Sequence, residues 1–319
     1  MAETTIAWTH YTFNPWWGCT RVSPGCQHCY AETFSHRLGL DVWGPTAGRR
    51  FFDDRHWDEP LRWARRRAAG DERHLVFCAS MADVFEDRRD LDEARFRLWD
   101  LIQATPELTW QLVTKRPENV DRLAPGAWTL HGWPPNVWLL VTAEDQERAD
   151  LRIPVLLRTG ARVKGVSYEP AIEPVDLSRW MWPVLEGWPA PYRSAREARE
   201  AGAKTTRSRQ ALVSAAAVFL DWVIVGGESG PGARPFDLAW ARSVVRQCHE
   251  AGVACFVKQL GARVRVTGDA EEIRGTALRG KHFSRMRVCD GDWRVHLKHP
   301  KGGDPAEWPE DLQVREFPR

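Results

Sequence analysis

Three closely spaced cysteines are the residues of this sequence most suited to chemistry. Cys19, Cys26 and Cys29 have the spacing C-x6-C-x2-C. Zinc in a structural site takes four ligands in a closed tetrahedron, and His28 is the local residue that could complete such a set. Cysteine thiolates also hold iron–sulfur clusters, and three of them leave one iron open to a small molecule. The spacing therefore predicts a metal centre, with zinc and a [4Fe-4S] cluster as the alternatives.

Two interpretations without a metal fit the sequence less well. Close C-x2-C pairs in intracellular chains usually bind a metal or do redox chemistry, which disfavours three merely buried thiols. The seven cysteines are an odd number and the N-terminus MAETTIAWTH has no secretory pattern, so a disulfide framework is not expected. Cys78, Cys248 and Cys255 fall within predicted strands or helices, and we do not expect them to bind the metal.

Four motifs in order resemble one protein family. They are NPWWGCTRVSPGCQHCYAE at residues 14–32, LVTKRP at 112–117, SYEP at 167–170 and WVIVGGESG at 222–230. With them the chain resembles the phage-associated three-cysteine family of unknown function that is related to the radical S-adenosyl-L-methionine (SAM) enzymes. The resemblance implies a [4Fe-4S] cluster on Cys19, Cys26 and Cys29, with SAM as its co-ligand.

The chain departs from most radical SAM enzymes at two places. Those enzymes have three residues, not six, between the first two cysteines, and an aromatic residue where this chain has His28. Their Gly-Gly-Glu motif follows the second strand, whereas Gly226-Gly227-Glu228 follows the sixth predicted strand. We therefore carry over the three cysteines, and we do not transfer a SAM-binding role to this motif by name.

Composition limits the possible classes of protein. The chain has 319 residues, of which 45 are basic and 43 acidic, so its net charge of +2 permits a nucleic-acid partner without requiring one. No apolar run approaches the roughly 18 residues that span a bilayer, and we expect a cytoplasmic protein without a membrane partner. A phosphate-binding loop, a dinucleotide-binding GxGxxG and a hydrolase GxSxG are all absent from the sequence.

Short apolar runs alternate with amphipathic helices, which predicts a parallel sheet. The predicted strands are residues 6–13, 75–79, 109–113, 137–141, 162–166, 222–225 and 253–257. Most of these runs are apolar on both faces, with Gln111 and Lys164 among the exceptions. Asp58, Asp90 and Asp237 are predicted to begin helices. We expect an α/β fold, a partial (β/α) TIM-like barrel of six to seven parallel strands with a C-terminal appendage; an open doubly wound sheet is the alternative.

The domain prediction follows from the same pattern. Residues 1–261 are expected to form the radical SAM-like barrel, and residues 262–319 an appendage packed on it. Residues 186–210 do not fit the alternation, because they are rich in Pro, Ala and charge, and we interpret them as an insertion. That insertion could be a substrate lid, a nucleic-acid contact or a solvated charged segment.

Polar residues follow the predicted strands at the edge where such barrels place their active sites. If SAM binds there, its amino, carboxylate and ribose groups need polar partners. The predicted cofactor-binding residues are Ser80, Asp83, Thr142, Glu144, Gly226 and Gly227, the two glycines as a backbone nest for an anion. The predicted catalytic residues are Lys115, which with Arg116 suits a carboxylate or phosphate, and Glu169 and Glu228, which suit proton transfer. Structural roles in turns, helix caps and salt bridges are the alternative for each of them.

These expectations give two hypotheses of different classes. The first is a radical SAM-like iron–sulfur enzyme that generates a 5′-deoxyadenosyl radical with electrons from an external donor; its substrate is unknown, and nucleic-acid modification or repair is one option. The second is a non-catalytic nucleic-acid-binding protein stabilised by zinc or by a cluster. In that protein His28 or a distant cysteine such as Cys289 would close the metal site.

Overall fold

Seven strands form one parallel sheet, and their order in the sheet follows their order in the chain. The computed structural model describes residues 4–67, 74–181, 219–267, 286–289 and 292–318, the side chains of 286–289, 292 and 293 excepted. In order across the sheet, the strands are β1 (Tyr11–Thr12), β4 (His74–Cys78), β5 (Leu108–Thr114), β6 (Val137–Thr142), β7 (Val163–Tyr168), β8 (Trp222–Gly226) and β10 (Ala254–Gln259). A doubly wound sheet reverses its order at a switch point, and this sheet does not. The expected partial (β/α) barrel is therefore confirmed.

Two smaller sheets, seven α-helices and several one-turn helices are the other elements of the described residues. β2 (Trp16–Trp17) pairs antiparallel with β3 (Arg50–Phe51). β9 (Phe236–Asp237), β11 (Val264–Val266), β12 (Met286–Cys289) and β13 (Asp292–Val295) form a four-stranded sheet. The helices are α1 (Tyr30–Arg37), α2 (Asp54–Arg67), α3 (Asp92–Ala104), α4 (Val120–Leu123), α5 (Gly126–His131), α6 (Gln146–Arg158) and α7 (Leu238–Ala251). Within the described ranges, no helix combines the length and apolar character needed to cross a membrane.

The chain divides into two compact units. The loop that carries Cys19, Cys26 and Cys29, called the cysteine loop below, belongs to the first unit. The first unit comprises Met1–Thr142 and Pro154–Gly165, and the second Ala143–Ile153 and Val166–Arg319. The domain boundary predicted at residue 261 stays a prediction. The predicted insertion at residues 186–210 lies outside the described residues.

The first unit packs its strands around large aromatic side chains. Trp16 and Trp110 are completely buried, and Phe13 contacts the Trp110 ring edge-on with centroids 5.7 Å apart. Gln111 was expected as a polar exception in its strand, yet it is also completely buried. Its Nε2 atom donates to the carbonyl oxygen of Trp8 at 3.4 Å, so this donor has a partner inside the core.

Three predicted boundaries are wrong. The strand expected at residues 6–13 is only the two residues of β1, because the amide of Thr9 donates to the carbonyl of Ile6 in a turn. The helix expected to begin at Asp58 begins at Asp54, since the Asp53 carboxylate accepts a hydrogen bond from the amide of His56. The helix expected to begin at Asp90 begins at Asp92; Asp90 lies in the one-turn helix before it and pairs with Arg88. Asp237 does cap α7, as predicted, by accepting from the amide of Ala239.

The end of the chain covers one edge of the large sheet. In the second unit, the amide of Val257 in β10 donates to the carbonyl of Val314, and the amide of Glu316 donates to the carbonyl of Cys255. Trp222 in β8 donates its indole N–H to the carbonyl of Glu316 at 2.9 Å. The backbone groups at the outer edge of β10 thus have hydrogen-bond partners in the C-terminal segment, which protects this edge from pairing with other chains.

Candidate functional site

The cysteine loop follows the first sheet strand and is tied to its surroundings by backbone hydrogen bonds. The amide of Gly18 donates to the carbonyl of Met81, and the carbonyl of Cys19 accepts from the amide of Gly44, at 3.0 and 2.9 Å. Cys26 closes a one-turn helix, Pro24–Cys26, and Cys29 is the N-cap residue of α1. The three cysteines therefore lie on a folded loop that is held at both its ends.

The three thiols differ in accessibility from the other cysteines whose side chains the structure describes. Cys19, Cys26 and Cys29 are partly exposed and in no disulfide, whereas Cys78, Cys248 and Cys255 are buried. Burial raises the pKa of Cys19 to about 12, against the opposing effect of Arg116. Burial also raises the pKa of Cys29, while the backbone amides of Glu32 and Ala31 and the charge of Lys115 oppose that rise. The neighbours that oppose burial are those that would stabilise a thiolate ligand.

A buried arginine contacts the first cysteine. The Nη1 atom of Arg116 lies 3.4 Å from the Sγ atom of Cys19 and 2.9 Å from Oδ2 of Asp83, and its Nη2 atom donates to the carbonyl of Thr20 at 2.6 Å. Arg116 is 6% exposed and Asp83 is 5% exposed. The guanidinium therefore has a fixed position beside the sulfur.

A second buried pair stabilises the loop from its other side. Arg49 binds Glu86 through two hydrogen bonds of 2.8 and 3.2 Å. It also donates to the carbonyls of Val42, Gly44 and Ala47 and to the hydroxyl of Thr20. The Glu86 carboxylate reaches Arg116 at 3.9 Å, so the two pairs form one network beside Cys19.

Polar residues at or just after the carboxyl ends of β4, β5 and β6 lie in the same unit. Lys115 directs its Nζ atom to the hydroxyl of Thr142 at 3.3 Å. The hydroxyl of Ser80 accepts from the side-chain amide of Asn14 at 3.1 Å. Tyr30, the residue after Cys29, donates its hydroxyl to the carbonyl of Ser80 at 2.7 Å. The structure thus joins four of the predicted residues, Ser80, Asp83, Lys115 and Thr142, to the elements that carry the cysteines.

The three cysteine thiols are of a chemical type that can bind zinc or an iron–sulfur cluster, and the choice between the two stays a prediction. Among the described residues, no group of three His, Cys, Asp or Glu side chains is placed to hold one metal ion. A tetrahedral zinc site with bonds of about 2.3 Å needs its sulfur atoms close together. In an iron–sulfur cluster each thiolate binds its own iron, so the thiolates lie farther apart. Three thiols on one loop, with Arg116 beside Cys19 and Lys115 acting electrostatically on Cys29, suit such a cluster chemically.

The other predicted carboxylates lie in the second unit and pair with cations. Glu144 is fully buried and accepts from Arg152 at 2.8 Å. Glu169, directly after β7, pairs with Lys258 in β10 at 2.6 Å, and these two side chains are 17% and 20% exposed. Of these two carboxylates, that of Glu169 is therefore the one partly exposed to solvent.

Close packing explains the glycine motif that begins at the last residue of β8. A Cβ atom at Gly226 would lie 3.0 Å from the Glu169 side chain, and one at Gly227 would lie 2.5 Å from the carbonyl oxygen of Leu260. Glu228 binds the guanidinium of Arg234 through both its oxygens, at 2.6 and 3.0 Å. This packing accounts for the two glycines, and their role as an anion nest stays a prediction.

The glycine before Cys19 gives the first testable prediction. Gly18 has φ +114°, and a Cβ atom there would lie 2.2 Å from the carbonyl oxygen of Val42 and 2.7 Å from Cδ of Arg49. We expect Gly18→Ala to lower the free energy of unfolding by roughly 3 kcal/mol or more, through backbone strain and the clash together. Urea unfolding followed by circular dichroism measures the loss.

Gly39→Ala is the matched control for this prediction. Gly39 also has a positive φ of +71°, but nothing lies within 4 Å of an added Cβ atom. We expect Gly39→Ala to lower the free energy of unfolding by only about 1 kcal/mol, because of the left-handed backbone alone. Equal losses in the two variants would show that the contact with Val42 and Arg49 does not constrain the loop.

Sequence reasoning missed several residues of this site. Arg49 and Glu86 were not singled out, because they lie 37 positions apart and neither is in a motif. Asn14 begins the motif at residues 14–32, but no role was predicted for it from the sequence. Its side-chain oxygen accepts a hydrogen bond from the amide of Met81 at 2.7 Å. Its place directly before Pro15, at the end of the first strand, was the available signal.

Comparison with known proteins gives a family without an activity. No curated protein and no solved structure matches the chain. One family model, described as a protein of unknown function (DUF5131), matches residues 3–287. That match covers most of the 319 residues, including the cysteine loop and every predicted site residue. The chain therefore belongs to the DUF5131 family.

Proposed function

We propose that this protein is a radical SAM-like iron–sulfur enzyme. The observation that carries the proposal is the loop after the first sheet strand, where three partly exposed cysteines lie outside any disulfide and two of them, Cys19 and Cys29, have a cation nearby. Cys19, Cys26 and Cys29 would hold a [4Fe-4S] cluster and leave one iron for SAM. When bound, such a cluster supplies the electron that cleaves SAM to methionine and a 5′-deoxyadenosyl radical.

The cations of the first unit support this assignment electrostatically. Three thiolates bring negative charge into a partly buried loop, and charge in such a place is costly without compensation. Arg116 supplies a positive charge and a hydrogen-bond donor at Cys19. Lys115 supplies a positive charge near Cys29. The chain thus provides one cation for each of two proposed ligands.

The same unit offers partners for the amino acid end of SAM. The Lys115 ammonium suits the carboxylate of SAM, and the hydroxyls of Ser80 and Thr142 suit its ammonium or ribose. Asp83 has the same proposed role, although its two oxygens already accept four protein hydrogen bonds, from Thr114, Phe85, Lys115 and Arg116. We therefore assign Asp83 first to holding Arg116 in place.

In the second unit, Glu169 is the residue we propose for proton transfer. Its carboxylate is partly exposed and hydrogen-bonded to Lys258, so a proton can move between the pair and a substrate. Glu144 and Glu228 are committed to arginines, and we propose that they stabilise the strand ends that carry them. The proposed partners are SAM, an external electron donor and a nucleic-acid substrate, the last by analogy with the phage-associated family. We place the protein in the cytoplasm, whose reducing conditions keep thiols free.

Metal analysis of protein purified without oxygen tests the proposal. We expect about four irons and four sulfides per chain and an absorption spectrum that changes when SAM is added. A strong reductant with SAM should then yield 5′-deoxyadenosine. A loaded cluster that binds SAM but yields no 5′-deoxyadenosine would remove the enzymatic part of the proposal.

The second candidate function would give a different result. Around the cysteine loop Tyr30, Phe34 and Phe51 are 54%, 44% and 48% exposed, and the Arg50 guanidinium lies over the Trp17 ring. Exposed aromatic and cationic side chains suit single-stranded nucleic acid. One zinc per chain, no sulfide, and salt-dependent binding of a DNA or RNA strand without SAM would favour the nucleic-acid-binding protein.

A further inference from the structure

We infer that Arg116 is a positioning residue that raises the reduction potential of a cluster bound at Cys19 and slows the loss of its iron. The inference rests on the proposed function and adds to it a specific role for one side chain. It follows from the placement of the guanidinium, the way in which the guanidinium is held, and the balance of charges around it.

Among the three cysteines, Cys19 is the one whose sulfur contacts Arg116. Its Nη1 atom lies 3.4 Å from the Sγ atom of Cys19, within the range of an N–H···S hydrogen bond. The arginine is 6% exposed, so bulk water does not screen this contact strongly. Lys115, the neighbouring cation, directs its ammonium to Thr142. Cys19 is therefore the thiol that has a directed donor from a buried cation.

The guanidinium cannot easily turn away from the sulfur. Its Nη1 atom also donates to Asp83 at 2.9 Å, and its Nη2 atom donates to the carbonyl of Thr20 at 2.6 Å. Asp83 is itself held by the hydroxyl of Thr114 at 2.8 Å and the amide of Lys115 at 3.0 Å. A donor fixed in this way is already oriented when a metal binds, so little conformational entropy is lost on binding.

The charges around Cys19 nearly balance before a metal binds. Arg49 and Arg116 contribute two positive charges to the network, and Asp83 and Glu86 contribute two negative ones. The net charge of these four side chains is therefore zero, but Arg116 acts more strongly on Cys19 than either carboxylate does. Arg116 therefore acts on the ligand both by its charge and by the directed N–H···S contact of 3.4 Å.

A hydrogen bond to a ligand sulfur has a known direction of effect. It withdraws electron density from the sulfur, which favours the cluster state with one more electron. It also keeps the ligand in place, and residues that support metal ligands in this way typically change metal affinity 10–100-fold when they are replaced. Arg116 should therefore raise the reduction potential and slow the loss of iron.

Redox titration of the reconstituted full-length protein, followed by electron paramagnetic resonance, tests the inference. We expect Arg116→Met to shift the midpoint potential to more negative values, and to speed iron transfer to a chelator by about 10-fold or more. Arg116→Lys keeps the charge but loses the fork that holds it, and it should also shift the potential downward. Arg122→Met is the control, since Arg122 is an exposed residue of α4 that pairs with Asp87; its potential should equal that of the wild type.

A double variant keeps the test valid if Arg116→Met does not fold. Arg116→Met leaves Asp83 buried without its cation, which can unfold a protein. The double variant Asp83→Asn, Arg116→Met removes both charges and should still show the lower potential, because the contact with Cys19 is lost.

The outcomes separate this inference from the proposed function. Loaded Arg116 variants with the potential and iron-release rate of Arg122→Met would overturn the role of Arg116 and leave the enzyme proposal intact. Wild-type protein that takes up no iron or sulfide would overturn the proposed function, and the role of Arg116 with it.

Discussion

Alanine in place of Cys19, Cys26 or Cys29 is expected to lower the iron content from about four atoms per chain to fewer than about one. Each of the three irons that a cysteine binds depends on its own thiolate, and a three-cysteine site has no spare protein ligand. The loss should therefore be almost complete for each single variant. Iron and sulfide analysis after anaerobic reconstitution, together with the absorption of the cluster, measures it.

The buried cysteines provide matched controls. Cys78 and Cys248 are completely buried, in β4 and α7, and each loses the same atom in Cys→Ala. Those variants should keep the iron content of the wild type even if they lose some stability. His28→Ala should keep it as well, since an open cluster does not need a fourth side chain. Loss of metal in the His28 variant would instead support a closed zinc site.

The fold was predictable because the pattern of apolar residues is strong. Each predicted run between residues 75 and 257 contains most of an observed strand, and the strand order follows the chain. The strand at residues 162–166 was expected not to be buried on both faces, because it contains the charged Lys164. Lys164 is nevertheless only 2% exposed. A long cationic side chain can be buried when partners meet it in three dimensions, and the pattern along one strand does not show those partners.

The site was predictable only where its residues lie close together in the chain. The three cysteines span eleven residues, so their spacing alone suggested a metal centre. The pair of Arg49 and Glu86 depends on a contact between segments 37 residues apart, and neither type of residue is unusual in a surface loop. Arg116 was noticed as a cation, but its contact with Cys19 bridges 97 residues and required the structure.

Arg49→Met is expected to lower the free energy of unfolding by about 3–5 kcal/mol, the usual result of removing one partner of a buried ion pair. The Arg49 side chain is completely buried, and Glu86 would keep its charge in the interior without this partner. Three backbone carbonyls, those of Val42, Gly44 and Ala47, would lose their donor as well. Urea unfolding followed by circular dichroism gives the loss.

Arg88→Met separates the effect of burial from the number of contacts. Arg88 also binds a carboxylate, that of Asp90, and donates to the carbonyls of Pro45 and Ala47 in the same loop, but its side chain is 20% exposed. Arg88→Met should therefore lower the free energy of unfolding by about 1 kcal/mol or less, as is usual for ion pairs near the surface. The double variant Arg49→Met, Glu86→Met should lose less than Arg49→Met alone, because no lone charge stays buried. If the double variant lost as much as the sum of its two single variants, the two side chains would be energetically independent, and the buried pair would not be what holds the cysteine loop.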